Sequence, residues 1–426
     1  MSLESLRQKS APWDYYELEA YFNGTKRLAA IGVSIPPEMR ALEMVAAWPR
    51  LVVEALVERL TPEGFYLASD QSIADEAETW WHANEFDIES ILLHTESLAQ
   101  KTAYTLIGPG EDNMPRYTVH TRRELRVELD SFGRVKEALR PFDAEDGTYW
   151  EAHYEPGKVS YYGRVNGFMR LAHTEDTGLS RVPVVAFANR ARIGGRSGES
   201  EMRDVMGLSD ACSRSLTNLQ VAQELVSMPQ RYMIGANPDE LVDQNGVPKT
   251  AFEVYIGRML MGPAGAEVGQ LPGAQLDQII NTIKLYAQKV ASVTGLPNSY
   301  LGINTDNPAS GQAINAAANR HIKKAEQKQM VFGRKHAEVA AIGHELVHGT
   351  PPRSLIRLEM QWRNAATITL DEVAQGAIAL TGGEPVIPPV VARDLIGLTP
   401  EQKRIANEHE QKNAAARFAT IGGLSE

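Results

Sequence analysis

The sequence predicts an α+β fold, and three observations carry that reading. Up to about residue 101, apolar positions recur at helical spacing. From 103 to 188, short β-branched and aromatic runs are broken by Gly, Pro and Asp. After 199, long helical stripes return. At 426 residues, about 150 residues per domain suggests two or three domains. Hydrophobic residues at 43% and charged residues at 23% are ordinary globular values, which argues against wholesale disorder.

Taken in order, helices are expected over Trp13–Ala30 and Pro37–Leu60. The second carries Leu42, Val45, Val52, Val53, Leu56 and Leu60, with Pro49 expected to kink or divide it. Two more helices fall near 71–83 and 87–101. Strands are expected at Ala103–Gly108, Arg116–Thr121, Glu124–Asp130, Tyr149–Glu155, Val159–Val165, Phe168–His173 and, as a buried strand, Val182–Ala188. A Gly-rich basic loop, Asn189–Gly198, leads into a helix from Glu199 to Val226 that Ser197 or Ser200 can cap.

Turn signals at Asn237-Pro238, Asn245-Gly246 and Gly262-Pro263 mark a small β-rich insert before the next helix, Gly273–Thr294. That helix carries the stripe Leu276, Ile279, Ile280, Ile283, Ala287, Val290 and Val293, and Gly295 and Pro297 stop it. A polar loop, Leu296–Pro308, follows, with no apolar stripe to bury. A second helix then runs to His348, with the stripe Ile314, Ala318, Ile322, Ala325, Phe332, Val339, Ile342 and Leu346. Its length of roughly 60 Å is expected to bridge two domains or to pack on a neighbouring chain. A strand over Ser354–Trp362 and two helices opened by capping boxes at Thr369 and Thr399 complete the chain.

Composition restricts function. The longest clearly apolar run, Val182–Ala188, is far shorter than the roughly 20 residues of a membrane helix. No membrane association is expected, and the first residues do not read as a secretory leader. Cys212 is the single cysteine, which rules out intrachain disulfides and cysteine-based structural zinc sites; it is expected to be a small buried hydrophobe. The formal net charge of −11 argues against tight wrapping of nucleic acid, where affinity comes from Lys and Arg. It is compatible with a protein past which DNA slides.

Three motifs bear on chemistry. His344-Glu345-Leu346-Val347-His348 has the H-E-x-x-H spacing that puts two imidazoles one turn apart to hold zinc. The helix stops at Gly349 and Pro351, however, and the positions where the extended zinc motif continues hold Pro351 and Ser354; Glu359 is the available third ligand, in a strand. The motif is read as the polar end of a long helix, with no catalytic residue, metal or cofactor expected. The loop before Glu199 lacks the order of a phosphate-binding loop. Arg320, Lys323, Lys324 and Lys328 form a basic helix face, which is either solvated or salt-bridged to an acidic neighbour, or else in contact with DNA.

Several short stretches, loose one by one but specific in their order, carry a resemblance. They are Tyr15-Tyr16 with Tyr21–Leu28; Val52–Leu60 with Gly64-Phe65; Pro183–Val185 with Asn189; Gly198–Glu201 with Asp210; Gly295–Pro297 with Leu301-Gly302; Asn307–Gly311 with Ala313-Ile314; and Leu380–Gly383. The chain resembles the portal proteins of tailed bacteriophages, specifically the siphophage portals common in actinobacterial phages.

The resemblance implies a portal fold assembled as a ring, usually of twelve subunits. It implies a wing at 1–197, a first stem helix at 198–228, a clip at 229–272 and a second stem helix at 273–295. A tunnel loop at 296–310, a long wing helix and strand at 311–363 and a crown at 364–426 follow. The implied function is to pass double-stranded DNA at one capsid vertex during packaging and ejection. The implied partners are the terminase large subunit, head-tail adaptor proteins, and the major capsid and scaffold proteins. The loop residues Asn298, Ser299, Tyr300, Asn304 and Asn307 would then line the channel. The competing classes are a zinc-dependent metallopeptidase built on the H-E-x-x-H motif and a non-viral helical scaffold protein.

Overall fold

The computed structural model describes residues 3–8, 13–28, 41–165, 167–227, 231–235, 265, 267–270, 276–303 and 311–366, with the isolated positions 375, 405–406, 409–410 and 412. Most of the expected insert at 229–272, the end of the polar loop and the two tail helices lie outside the described residues.

After a short N-terminal helix α1 (Leu3–Gln8), four helices form one side of the first domain: α2 (Asp14–Phe22), α3 (Trp48–Val57), α4 (Gln71–Ala83) and α5 (Phe86–Gln100). Pro49 does not divide a helix; it sits in the first turn of α3, where its missing N–H costs nothing. Asp70 caps α4 by accepting from Ser72 N at 3.2 Å.

These helices cover a three-stranded antiparallel sheet in the order β3 (Pro115–His120), β2 (Thr102–Pro109), β9 (Val184–Ala188). Between β3 and β9 the chain makes an antiparallel meander: β4 (Arg126–Leu129), β5 (Val135–Asp143), β6 (Tyr149–Glu155), β7 (Lys158–Val165) and β8 (Phe168–Asp176). Strands β1 (Pro62–Tyr66) and β12 (Glu359–Trp362) pair antiparallel, with Phe65 opposite Met360, so the chain returns to its own beginning.

Two long helices, α6 (Arg203–Ser227) and α7 (Leu276–Thr294), pack on each other. Between them in sequence lies the ladder β10 (Arg231–Ile234) with β11 (Glu267–Gln270). Ser200 closes the start of α6 by accepting from Met202 N at 3.2 Å. One face of α6 holds the segment before α3. Ser209 Oγ donates to Ala46 O at 2.6 Å, Ala46 N donates to Ser213 Oγ at 3.0 Å, and Met44 N donates to Thr217 Oγ1 at 3.0 Å. That spacing of four repeats one helical face. Val52 and Ala55 of α3 meet Val205, Val290 and Leu296 in a small core that seats the helix pair. Cys212 is buried as expected, and burial pushes its thiol up to about 11.

The long helix α8 (Gly311–His348) has 38 residues and spans about 57 Å. Most of its described apolar stripe finds cover within its own chain. Ala318, Ile322, Ala325, Phe332, Val339 and Ile342 join Trp80, Trp81, Phe86 and Phe187 in the main core. At Gly343 a Cβ would come within 2.5 Å of Tyr117 Oη and 3.1 Å of Pro115, so the helix lies directly on β3 only because that side chain is missing.

Candidate functional site

The candidate site is the joint where α6, α7, the following turn and α8 meet the first domain. Asn189, at the end of β9, is buried. Its Nδ2 donates to Glu199 O at 2.7 Å and to Glu201 Oε2 at 3.1 Å. Gly198, at φ +75°, is required here; a Cβ would fall inside contact distance of both Asn189 O and Lys101 O.

Glu201 is buried between two ammonium groups of α8. Lys324 pairs with Oε1, and Lys328 lies 3.3 Å from Oε2 and also donates to Asn189 Oδ1. Burial alone would raise the Glu201 pKa, but Lys328, Lys324 and Asn189 overcome it and hold the carboxyl at about 2. Lys328 is itself lowered. Burial dominates there, and its attraction to Glu201 is shared with Lys324, which repels it.

The basic face therefore divides. Lys328 is buried, Lys324 is half-buried, and both are engaged by Glu201. Arg320 and Lys323 are exposed. Arg320 Nη1 donates to Ser292 O at 2.6 Å, a cation on the last turn of α7, where the helix dipole favours it.

Tyr21 Oη donates to Asp210 Oδ2 at 2.7 Å and ties α2 to α6; burial, then Asp210, raise the phenol pKa. On the other side of the domain Asp14 pairs with Lys101 and, at 3.3 Å, with Arg122. Burial works against that carboxylate, but both cations lower its pKa from the ordinary value.

The polar loop is not free of apolar anchors. Gly295 takes φ +79°, Leu296 is buried, and a 3-10 turn covers Asn298–Leu301. Leu301 packs with Leu296 against the small core of α3, α6 and α7. Asn298, Ser299 and Tyr300 point outward as exposed residues on this pinned turn. Asn304 and Asn307 lie outside the described residues.

At the far end of α8 the H-E-x-x-H residues separate in role. Glu345 is buried; its Oε1 accepts from Ser180 N at 2.6 Å and its Oε2 faces Arg181 Nε at 3.4 Å. His348 Nε2 lies 2.9 Å from Glu76 Oε1 on α4. The His344 and His348 rings are 4.6 Å apart by centroid. Burial, then His348, lower the His344 pKa. Glu359 stands opposite Tyr66 in the β1–β12 ladder and is not part of this group.

Sequence reasoning missed the Glu201 cluster and the approach of Glu76. The single signal for the first was that Asn189, Glu201 and Asp210 all fell in stretches carrying the family resemblance.

Comparison with known proteins gives the family. The family model "Phage portal protein, SPP1 Gp6-like" matches residues 9–415. The chain is 32% identical over 420 residues to a portal protein of Mycobacterium phage D29, covering 95% of this chain and 87% of that one. It is 31% identical over 420 residues to that of Mycobacterium phage L5, covering 95% and 86%. The neck of an empty gene transfer agent particle shares the fold, with TM-score 0.52 and 15% identity over 91% of this chain and 95% of that one. The chain belongs to the phage portal protein family.

Proposed function

We propose that this chain is the repeating subunit of a twelve-membered connector ring at one capsid vertex. Double-stranded DNA enters and leaves through its channel. Residues 1–197 with 311–363 form the wing, 198–228 and 273–295 the stem, 229–272 the clip, 296–310 the tunnel loop and 364–426 the crown. The observation that carries this reading is family membership over nearly the whole chain, together with a stem pair whose outer apolar positions Ile280, Leu285 and Val293 stay exposed within one subunit. Neighbouring subunits would cover them.

The role is mechanical. The clip docks the terminase large subunit and then head-tail adaptors, while the wing meets capsid and scaffold proteins. The chain performs no catalysis; in particular, the commitment of Glu345 to Ser180 and Arg181 leaves no general base for a zinc peptidase. Lys324 and Lys328 set the angle between stem and wing rather than grip DNA. Twelve copies at −11 each give roughly −130, which discourages phosphate from sticking. Asn298, Ser299 and Tyr300 can hydrogen-bond a passing backbone without strong ionic attraction.

The test is a packaging assay with Asn298→Ala/Tyr300→Ala. Rings and melting temperature are expected to match the parent, with DNA packaging impaired. Normal packaging would remove the turn from the channel.

A further inference from the structure

The residues set aside as a peptidase motif acquire a different partner in three dimensions. Glu76 of α4 meets His344 and His348 of α8, although Glu76 and His348 are 272 residues apart in sequence. One ligand-competent atom from each of the three lies within 4.8 Å of the others. Two imidazoles at i and i+4 plus one carboxylate from a second helix is a ligand set that suits zinc and its neighbours in the first transition row.

We propose that Glu76, His344 and His348 bind one zinc-class divalent cation that cross-links α4 to the last turn of α8. Ligand atoms around a tetrahedral zinc ion sit about 3.3 Å apart. The group therefore needs only a small closure, with the 2.9 Å contact between His348 and Glu76 opening to admit the ion. Water takes the fourth position.

The site is structural. Glu345, which an H-E-x-x-H peptidase would use on that water, accepts a hydrogen bond from Ser180 N and faces Arg181 instead. Trp80 frames the site, its ring 6.4 Å from that of His344 and 6.2 Å from that of His348 by centroid. The place matters for the fold, because α8 ends here and the chain turns back at Gly349 to pair β12 with β1.

The experiment uses the untagged full-length protein, stripped with chelator and titrated with Co²⁺ and with Zn²⁺. Expected are one tetrahedral Co²⁺ spectrum per chain, displacement of Co²⁺ by Zn²⁺, and a melting temperature that rises with Zn²⁺ concentration. His344→Asn/His348→Asn should abolish all three. Glu76→Gln, which keeps the side-chain shape, should weaken binding by at least the 10–100-fold, approximately, that an outer-sphere partner is worth. Circular dichroism and the metal-free melt show that each variant is folded. No Co²⁺ spectrum in the parent, or equal binding by the folded double variant, overturns the proposal. Ring formation by the parent is scored separately, so a parent that forms rings but binds no metal sinks this site and leaves the portal reading standing.

Discussion

Helices α7 and α8 have similar apolar stripes and opposite fates. On α8, Ala325 and Phe332 are 0% exposed and Ile342 is 1% exposed. On α7, Val290 is 0% exposed, but Leu285 is 49% and Val293 44% exposed. The described stripe of α8 is covered within one chain, whereas α7 leaves Ile280, Leu285 and Val293 open. On the proposed ring, association would cover the open positions of α7. A substitution in the α8 stripe should then report through stability, and one at an open position of α7 through assembly.

The largest effects should come from the core under α8 and from the Glu201 joint. Phe332→Ala removes a fully buried ring that stacks on His94 with centroids 5.2 Å apart. It should cost about 3–5 kcal/mol in denaturant unfolding. Glu201→Gln leaves Lys328 buried without its counter-charge, and breaking one side of a buried pair should cost about 3–5 kcal/mol. Both losses should be measurable whether or not rings form.

Acid should weaken that core next. His94 and His336 are buried with Nε2 atoms 2.9 Å apart, so one neutral ring donates and the other accepts. Burial lowers both, His94 to about 3 from 6.5. Protons therefore bind the unfolded chain first. The stability is complete above pH 6.5 and falls as pH drops toward 3. Below 4.5 the Glu201 contribution also falls, down to about pH 2. In parallel melts from pH 7.5 to 5, His336→Asn should show a shallower decline than the parent. An equal slope would mean that these imidazoles are not the acid-sensitive groups.

The smallest stability effect and the clearest assembly effect should come from α7. Leu285→Ser should move subunit unfolding by about 0.5 kcal/mol or less, as for an exposed site, yet reduce ring yield in sedimentation. A large stability loss with normal rings would reverse the roles given to the two helices.

The same contrast explains what could be read in advance. The stripe of α8, the start of α6 at Ser200 and most strands were legible because local periodicity and capping chemistry determine them. Strand β1 was missed because its sequence, Pro62-Glu-Gly-Phe-Tyr66, reads as a turn; pairing with β12 makes it a strand. Strand β5 contains Pro141 and charged residues and is held between β4 and β6. The apolar spacing over Trp13–Ala30 and Pro37–Leu60 predicts helices longer than α2 and α3; Leu28, Ala46 and Leu60 lie outside those two helices yet are buried, so apolar spacing marks the packing but not the helix ends. The polar loop hid its anchors, since Leu296 and Leu301 find cover only on α3, α6 and α7. Pairing of Lys324 and Lys328 with an acidic neighbour is one of the readings the sequence offers, but a helical pattern cannot show that the neighbour is Glu201, arriving from another element. Glu76 was invisible to a motif search for the same reason.

The most direct measurement is negative-stain electron microscopy of the purified full-length protein, alone and under capsid-assembly conditions with scaffold present. Uniform rings with a central channel are the predicted result, with the stem faces of α7 turned toward neighbouring subunits. Particles that remain single 46.9 kDa chains in every condition would contradict the account.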